Sequence, residues 1–95
     1  MSEIYTVRIS RGAQKDLAKV PKYIVFNLMA WVETVEDSGL ARTRQISGYH
    51  DELLKGKRTG QRSIRLSRSY RAIYEIHSDG SVEFVSIEEV NKHDY

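Results

Sequence analysis

Four side chains of this sequence are of types that could together cleave RNA without a metal ion. Such cleavage needs a base to take the proton of the ribose 2′-hydroxyl, a cation to neutralise the phosphorane, and an acid to protonate the departing 5′-oxygen. A carboxylate, a guanidinium, an imidazole and a phenol can share these tasks, and the candidates are Glu52, Arg71, His93 and Tyr95. The sequence alone does not say which of them is base and which is acid.

Other routes to catalysis lack the residues they need. The 95 residues include no cysteine, and the three histidines lie far apart with no metal-ligand spacing. The six glycines fit no phosphate-binding pattern, which argues against a nucleotide-driven enzyme. We therefore expect no cofactor and no metal centre.

Each candidate also has a purely structural interpretation. Arg71 interrupts an apolar strand, so it is either paired with Glu75 or Glu83 or aimed into a site. Glu52 stands in a predicted loop, where a lone glutamate is often only solvated. The two C-terminal candidates lie where chain ends often fray. His50, two residues before Glu52, is ambiguous.

Positive charge is concentrated in one segment. Residues 55–71 carry seven of the fifteen Lys and Arg residues and no acid, whereas the remaining 78 residues carry all thirteen acids. Clustered cations on a small domain favour a polyanionic partner, most often a nucleic acid. The alternative is a basic hairpin that is simply solvated.

The first 40 residues predict a strand followed by two helices. Apolar and polar residues alternate over residues 4–10, which is typical of a strand. Ser10 is suited to cap a short helix, and Pro21 separates it from a second helix over residues 22–37. Gly39 is suited to follow that helix. The two helices form a hairpin whose apolar stripe must cover something.

The rest of the chain predicts a β meander. Residues 40–60 are expected to be mostly loop, with a possible helical turn at 40–46 and a segment at 49–55 that could be extended or a single turn. Strands are expected at 62–67, 70–77 and 82–87, the last two joined by an Asp79-Gly80 turn. The order β-α-α-β-β-β predicts one α+β domain over residues 1–95. Its antiparallel sheet has about four strands, with the first strand at an edge or beside the last. The helical hairpin covers one face, and the basic segment leads into the open face.

The N-terminus shows no signal-peptide pattern, and no apolar run approaches the roughly 20 residues of a membrane span. We therefore expect a soluble, cytoplasmic protein.

The ordered motifs resemble the RelE superfamily of small bacterial toxins. The similarity runs over nearly the whole chain, and each motif is short. Its carriers are Asp51-Glu52-Leu53-Leu54-Lys55-Gly56, then Gly60-Gln61-Arg62-Ser63-Ile64-Arg65-Leu66, then Tyr70-Arg71-Ala72-Ile73-Tyr74, then the ending Val90-Asn91-Lys92-His93-Asp94-Tyr95.

The resemblance implies a ribosome-dependent endoribonuclease that cuts mRNA in the decoding site by 2′-hydroxyl attack and is blocked by a cognate antitoxin. It implies that Glu52 is a candidate general base and that Arg71 stabilises the scissile phosphate. Tyr95 matches a terminal tyrosine. His93 is our choice for the terminal histidine, although Asp94 intervenes and a shift of one residue would align Asp94 instead. The implied contacts to RNA and ribosome are Lys55, Lys57, Arg58, Arg62, Arg65 and Lys92.

Two other functions stay open. The ParE branch of the same superfamily poisons DNA gyrase and does not cut RNA. A non-catalytic RNA-binding module would need the basic strand but neither Glu52 nor His93. The Glu52 motif and the His93/Tyr95 ending favour the nuclease.

Overall fold

The computed structural model describes residues 3–92, which have an α+β fold. Three helices, five strands and two single 3-10 turns follow one another along the chain. In chain order they are β1 (Val7–Ile9), α1 (Arg11–Leu17), α2 (Lys22–Ser38), α3 (Leu40–Arg44), a 3-10 turn (Ser47–Tyr49), β2 (Glu52–Leu53), a second 3-10 turn (Gly56–Arg58), β3 (Arg62–Arg65), β4 (Tyr70–Asp79) and β5 (Val82–Lys92).

The strands form one sheet in the order β1-β5-β4-β3-β2. β1 runs parallel to β5, with Val7 opposite Val85, and every other pairing is antiparallel. The first strand, β1, therefore lies at an edge of the sheet and also beside the last strand, β5. The sequence had left these two positions as alternatives, and β1 occupies both. The predicted fold class is confirmed, with a third helix and a fifth short strand in the region expected to be mostly loop.

The residues predicted to begin and end the helices lie at the observed helix ends. Ser10 Oγ accepts a hydrogen bond from the Ala13 backbone N–H at 3.1 Å, which caps α1. Gly39 ends α2 with a φ of +90°, a conformation that strongly favours glycine. A Cβ at this position would also lie only 2.3 Å from Glu3 Cγ. The helical hairpin is therefore fixed at its start and at its end.

One face of the sheet is covered by helices and holds the core. Trp31 of α2 packs against Tyr74 of β4 with ring centroids 5.2 Å apart. Burying each large apolar side chain contributes about 1.5–3 kcal/mol, so this face supplies most of the stability. Its buried members are Ile24, Leu28, Trp31, Val32 and Val35 from α2, and Ile64, Ala72, Tyr74, Val85, Ile87 and Val90 from the sheet.

Alternation then places the intervening residues of each strand on the opposite face, which we call the open face. A β-bulge interrupts β5, because Ile73 pairs with Glu89 whereas Tyr74 pairs with Ile87. Glu88 is the extra residue, and its carbonyl accepts a hydrogen bond from Ser10 Oγ at 3.3 Å. The bulge lets Glu88 and Glu89 both reach neighbours on the open face.

β5 is longer than the predicted strand 82–87, and β1 is shorter than the predicted strand 4–10. Only three residues of β1 find partners on β5. The helices of residues 3–92 include none long and apolar enough to span a bilayer.

Candidate active site

The β3–β4 hairpin places two arginines side by side. Arg65 of β3 lies directly opposite Arg71 of β4, so the two side chains share the open face. Like charges in opposed positions of a sheet are destabilising. Within residues 3–92, neither guanidinium forms an ion pair with a carboxylate. The hairpin thus holds two positive charges ready for an anion.

Side chains within and beyond the hairpin fix its turn. Ser67 Oγ accepts hydrogen bonds from the backbone N–H groups of Ser69 and Tyr70, each at 3.2 Å. The Asn27 side-chain amide of α2 donates to the Leu66 carbonyl at 2.8 Å. A turn held from both sides limits the movement of Arg65 and Arg71, which stand at its two ends.

The segment from His50 to Glu52 forms the neighbouring wall. Asp51 points inward, and its side chain is only 1% exposed. It accepts hydrogen bonds from Arg62 Nε and from the Tyr74 hydroxyl, the latter at 2.6 Å. With Asp51 anchored in this way, its two neighbours are held at the rim of the sheet.

The backbone of this segment is unusual. His50 adopts a left-handed conformation, with φ +46° and ψ +49°, and it is the only non-glycine residue with positive φ among residues 3–92. Such a conformation costs a non-glycine residue free energy and is often found at functional sites. Glu52 follows in β2 and lies opposite Ser63 of β3.

These elements enclose a concave pocket of about 180 Å³. It brings together a carboxylate, an imidazole and two guanidinium groups. Pockets for drug-sized ligands are larger, about 300–1,000 Å³, so this one fits part of a larger molecule, such as a single phosphodiester. Its lining residues are His50, Glu52, Ser63, Ile64, Arg65, Ser67, Tyr70 and Arg71.

The pocket contains three of the residues that the sequence singled out, namely Glu52, Arg65 and Arg71. Within residues 3–92, Arg71 forms no ion pair with Glu75 or Glu83, although its positive charge contributes to lowering the pKa of the Glu89 carboxyl. His93 and Tyr95, together with Asp94, lie outside the described residues. Lys92 is exposed and lies opposite Tyr70, which lines the pocket.

Two other predicted RNA contacts have partners within the protein. Arg62 pairs with the buried Asp51, and Arg58 forms a two-pronged ion pair with Glu89 at 2.7 and 3.1 Å. The Arg58 guanidinium lowers the pKa of the Glu89 carboxyl below its ordinary value. The exposed side chains of Lys55 and Lys57 form no ion pair within residues 3–92.

Sequence reasoning did not find two residues that shape the site. Asp51 was quoted only as part of a motif, and its burial depends on Arg62 and Tyr74, which lie far along the chain. His50 was left ambiguous, because its left-handed backbone is not visible in the sequence. The one available signal was that His50 lies only two residues before Glu52.

Solved structures of similar fold come from several bacteria. The YoeB/ParE toxin from Agrobacterium tumefaciens is 17% identical, with a TM-score of 0.69, and the match covers 94% of this chain and 99% of that one. YafQ from E. coli strain BL21(DE3) is 16% identical, with a TM-score of 0.71, and the match covers 90% of both chains. The toxin–antitoxin complex RelBE2 from Mycobacterium tuberculosis matches at 28% identity with a TM-score of 0.60, covering 95% of this chain and 99% of that one.

Sequence comparison adds the family. No curated protein matches the sequence significantly. The profile of a family described as the ParE toxin of the type II toxin–antitoxin system parDE matches residues 7–91, which span β1 and nearly all of β5. With this match and the shared fold of the toxin structures, the chain belongs to the ParE toxin family, within the RelE/ParE superfamily of type II toxin–antitoxin toxins.

Proposed function

We propose that this toxin is a metal-independent endoribonuclease that cuts mRNA on the ribosome by 2′-hydroxyl attack. The observation that carries the proposal is the pocket itself. It combines two arginines without carboxylate partners among residues 3–92 with a carboxylate and an imidazole. These are the groups that metal-free cleavage of a phosphodiester requires.

In the proposed mechanism Arg65 and Arg71 bind the scissile phosphate. An anion placed between two opposed guanidinium groups replaces their repulsion with two attractive, charge-assisted hydrogen bonds. The negative charge on the phosphate grows as the phosphorane forms, so the same two groups stabilise the transition state more than the ground state.

Proton transfer is assigned to the other wall of the pocket. Glu52 and His50 both line it, and each can hold or release a proton. His93 and Tyr95 belong to the proposal as further proton-transfer groups at the C-terminal end. Lys92 precedes them and lies opposite Tyr70 of the pocket lining, which brings the chain to the site at residue 92.

The proposed reaction needs the ribosome because the pocket is too small to orient an RNA chain by itself. Its volume of about 180 Å³ is small, and two of the predicted cations, Arg58 and Arg62, are already paired with carboxylates of the protein. A substrate held in the correct geometry by a second body lowers the barrier by several kcal/mol. A ribosome holding mRNA in the decoding site is such a body.

The proposed partner is a cognate antitoxin. Family membership supports it, and the similar RelBE2 structure is described as a toxin–antitoxin complex. We expect a segment with acidic side chains that covers Arg65 and Arg71, flanked by apolar anchors, because charge complementarity steers association and apolar burial supplies affinity.

A second candidate function, inhibition of DNA gyrase, is favoured by the ParE family match. It needs the fold and a docking surface, but no proton-transfer groups in the pocket. A substitution that removes the charge of a pocket side chain but keeps the shape of the surface should therefore abolish RNA cleavage and leave gyrase inhibition intact.

The deciding experiment is mRNA cleavage in a translation extract, mapped by primer extension. Wild-type protein should cut messages within translated frames. Arg71→Ala should lower the rate about 10²–10³-fold, as removal of a transition-state donor does. Arg42→Ala is the matched control, because it removes the same charge from an exposed site on α3.

Two results would contradict the nuclease. Messages that stay intact at toxic levels of wild-type protein would exclude it, and DNA breaks that appear before translation stops would support the gyrase function. Equal loss of cleavage in Arg71→Ala and Arg42→Ala would show that general charge, and not the pocket, carries the activity.

A further inference from the structure

We propose that the open face carries a transition-metal site, formed by Glu75, His77 and Glu88 and suited to Zn²⁺. This site lies on β4 and β5, outside the candidate active site, and it does not depend on the nuclease proposal. One ligating atom from each residue falls within 4.8 Å of the other two. None of the three lines the active-site pocket.

The separations between the ligating atoms lie near those around a bound ion. His77 Nε2 lies 2.8 Å from Glu75 Oε1 and 3.7 Å from Glu88 Oε2. Two ligands of a tetrahedral zinc ion, each at its normal bond length, stand about 3.4 Å apart. The three atoms therefore need only a small adjustment to share one ion, and a fourth position remains for water.

The sheet holds these side chains in a common geometry. Glu75 and His77 are two residues apart on β4, so they share a face. Glu88 of β5 follows Ser86, the partner of Glu75, by two residues and reaches the same face. This explains why no ligand spacing is visible in the sequence. The third ligand comes from another strand, so it is distant from the other two in the sequence.

Neighbouring groups orient the ligands, as outer-shell partners do in metal sites. Gln61 Nε2 donates to Glu75 Oε2 at 2.6 Å, which leaves Oε1 directed at His77. Ser86 Oγ donates to Glu88 Oε2. The His77 ring stands edge-on against Phe84, with centroids 5.6 Å apart. All three ligands are thus held before an ion arrives.

The local charge favours a cation. Within residues 3–92, neither Glu75 nor Glu88 forms an ion pair with Lys or Arg, whereas the nearby Glu89 is paired with Arg58. A combination of imidazole and carboxylate ligands suits zinc better than magnesium or calcium.

The test is calorimetric titration of the chelator-treated protein with zinc chloride at neutral pH, with thermal melting as a second readout. Wild type should bind one ion and melt at a higher temperature with zinc, because a ligand of the native state stabilises it by mass action. Both effects should disappear in His77→Gln and in Glu88→Gln. Gln61→Ala should weaken binding about 10–100-fold, as loss of an outer-shell partner does.

Matched controls use the same substitutions elsewhere. Glu83→Gln changes a carboxylate of β5 that is not in the cluster, and His50→Gln changes an imidazole at the other end of the sheet; both should bind zinc as wild type does. Circular dichroism confirms that each variant is folded. Zinc binding that survives His77→Gln, or that disappears in His93→Gln, would overturn the proposal. Absence of saturable binding to wild type would also overturn it and would leave His77 as a plain bridge between two carboxylates.

Discussion

The open face of the sheet has two ends that treat charge in opposite ways. At the hairpin end, Arg65 and Arg71 stand side by side and form no ion pair within residues 3–92. At the bulge end, Glu89 is bound to Arg58 by two hydrogen bonds, and Glu75 is bound by Gln61 and His77. The first end keeps two guanidinium groups without a carboxylate partner among residues 3–92, whereas the second joins its carboxylates to neighbouring side chains by hydrogen bonds.

The difference shows that a cluster of cations in the sequence need not be a cluster of cations available to a binding partner. The seven cations of residues 55–71 form one group in the sequence, but the fold assigns two of them, Arg58 and Arg62, to carboxylates elsewhere in the chain. Arg65 and Arg71, by contrast, lie opposite each other and have no ion pair within residues 3–92.

The largest effect is expected when the hairpin end is given an ion pair of its own. Arg65→Glu places a carboxylate opposite Arg71, which converts a repulsive cross-strand pair into an attractive one. We expect mRNA cleavage to fall about 10²–10³-fold, because a phosphate-binding donor is lost. The same variant should gain about 0.2–1 kcal/mol in the free energy of unfolding.

Cleavage and urea unfolding, measured on the same preparation, check this prediction. Arg68→Glu is the control, because it changes the same charge at an exposed turn residue outside the pocket lining. A variant that loses activity and stability together would show that Arg65 has a structural role.

The next largest effect is expected at Asp51, which supports the active-site wall. Asp51→Asn keeps the shape of the side chain but removes the charge that balances Arg62. Breaking a buried ion pair from one side costs about 3–5 kcal/mol, and we expect the lower end because Arg62 retains some exposure. Urea unfolding measures this loss. Asp37→Asn, on the exposed part of α2, is the control and should change little. Equal stability of the two variants would contradict the anchoring role.

A smaller effect is expected at the bulge end. Since Arg58 lowers the pKa of Glu89, the ion pair stabilises the fold above the ordinary carboxyl value of 4.5, and this contribution is lost as the pH falls through the lower native-state value. Glu89→Gln should therefore cost about 0.2–1 kcal/mol at neutral pH, since the pair is partly exposed.

The variant should also lose less stability than wild type as the pH falls below 4.5, since it no longer carries the group that becomes protonated. Unfolding curves recorded at several pH values check this prediction, with Glu83→Gln as the control on the same strand. Parallel pH profiles for wild type and Glu89→Gln would refute it.

The smallest effect is expected at Lys57, an exposed cation with no ion pair within residues 3–92. Lys57→Ala should leave the free energy of unfolding within about 0.5 kcal/mol of wild type. If Lys57 contacts a phosphate, the slope of log affinity for single-stranded RNA against log salt should become shallower by about 0.7. Binding measured at several salt concentrations tests this, and an unchanged slope would remove Lys57 from the RNA contacts.

Periodicity and capping were enough to predict most of the fold. Ser10, Pro21 and Gly39 act within a few residues of the helix ends that they define, so a local pattern contains the information. The short strand β2 was not predicted, because Glu52 and Leu53 become a strand only by pairing with β3. The bulge at Glu88 likewise depends on the register between two strands.

The candidate site was predictable only in part, for the same reason. Arg71 stood out because a charge in an apolar strand is locally anomalous. The partners of Arg58 and Arg62 could not be read from the sequence, since Glu89 and Asp51 lie 31 and 11 residues away along the chain. The contributions of His93 and Tyr95 stay predictions, because these residues lie outside the described part of the chain.

The parallel pairing of β1 with β5 has a consequence for how the protein is made. β5 lies between β1 and β4 in the sheet, although it is the last strand in the chain. Closing a chain from Val7 to Val85 costs entropy before its contacts form, and such distant pairings slow folding. During synthesis the helical hairpin therefore precedes much of the surface that it must cover. The sheet acquires its inner strand, and β1 its pairing partner, only after the residues of β5 have been translated.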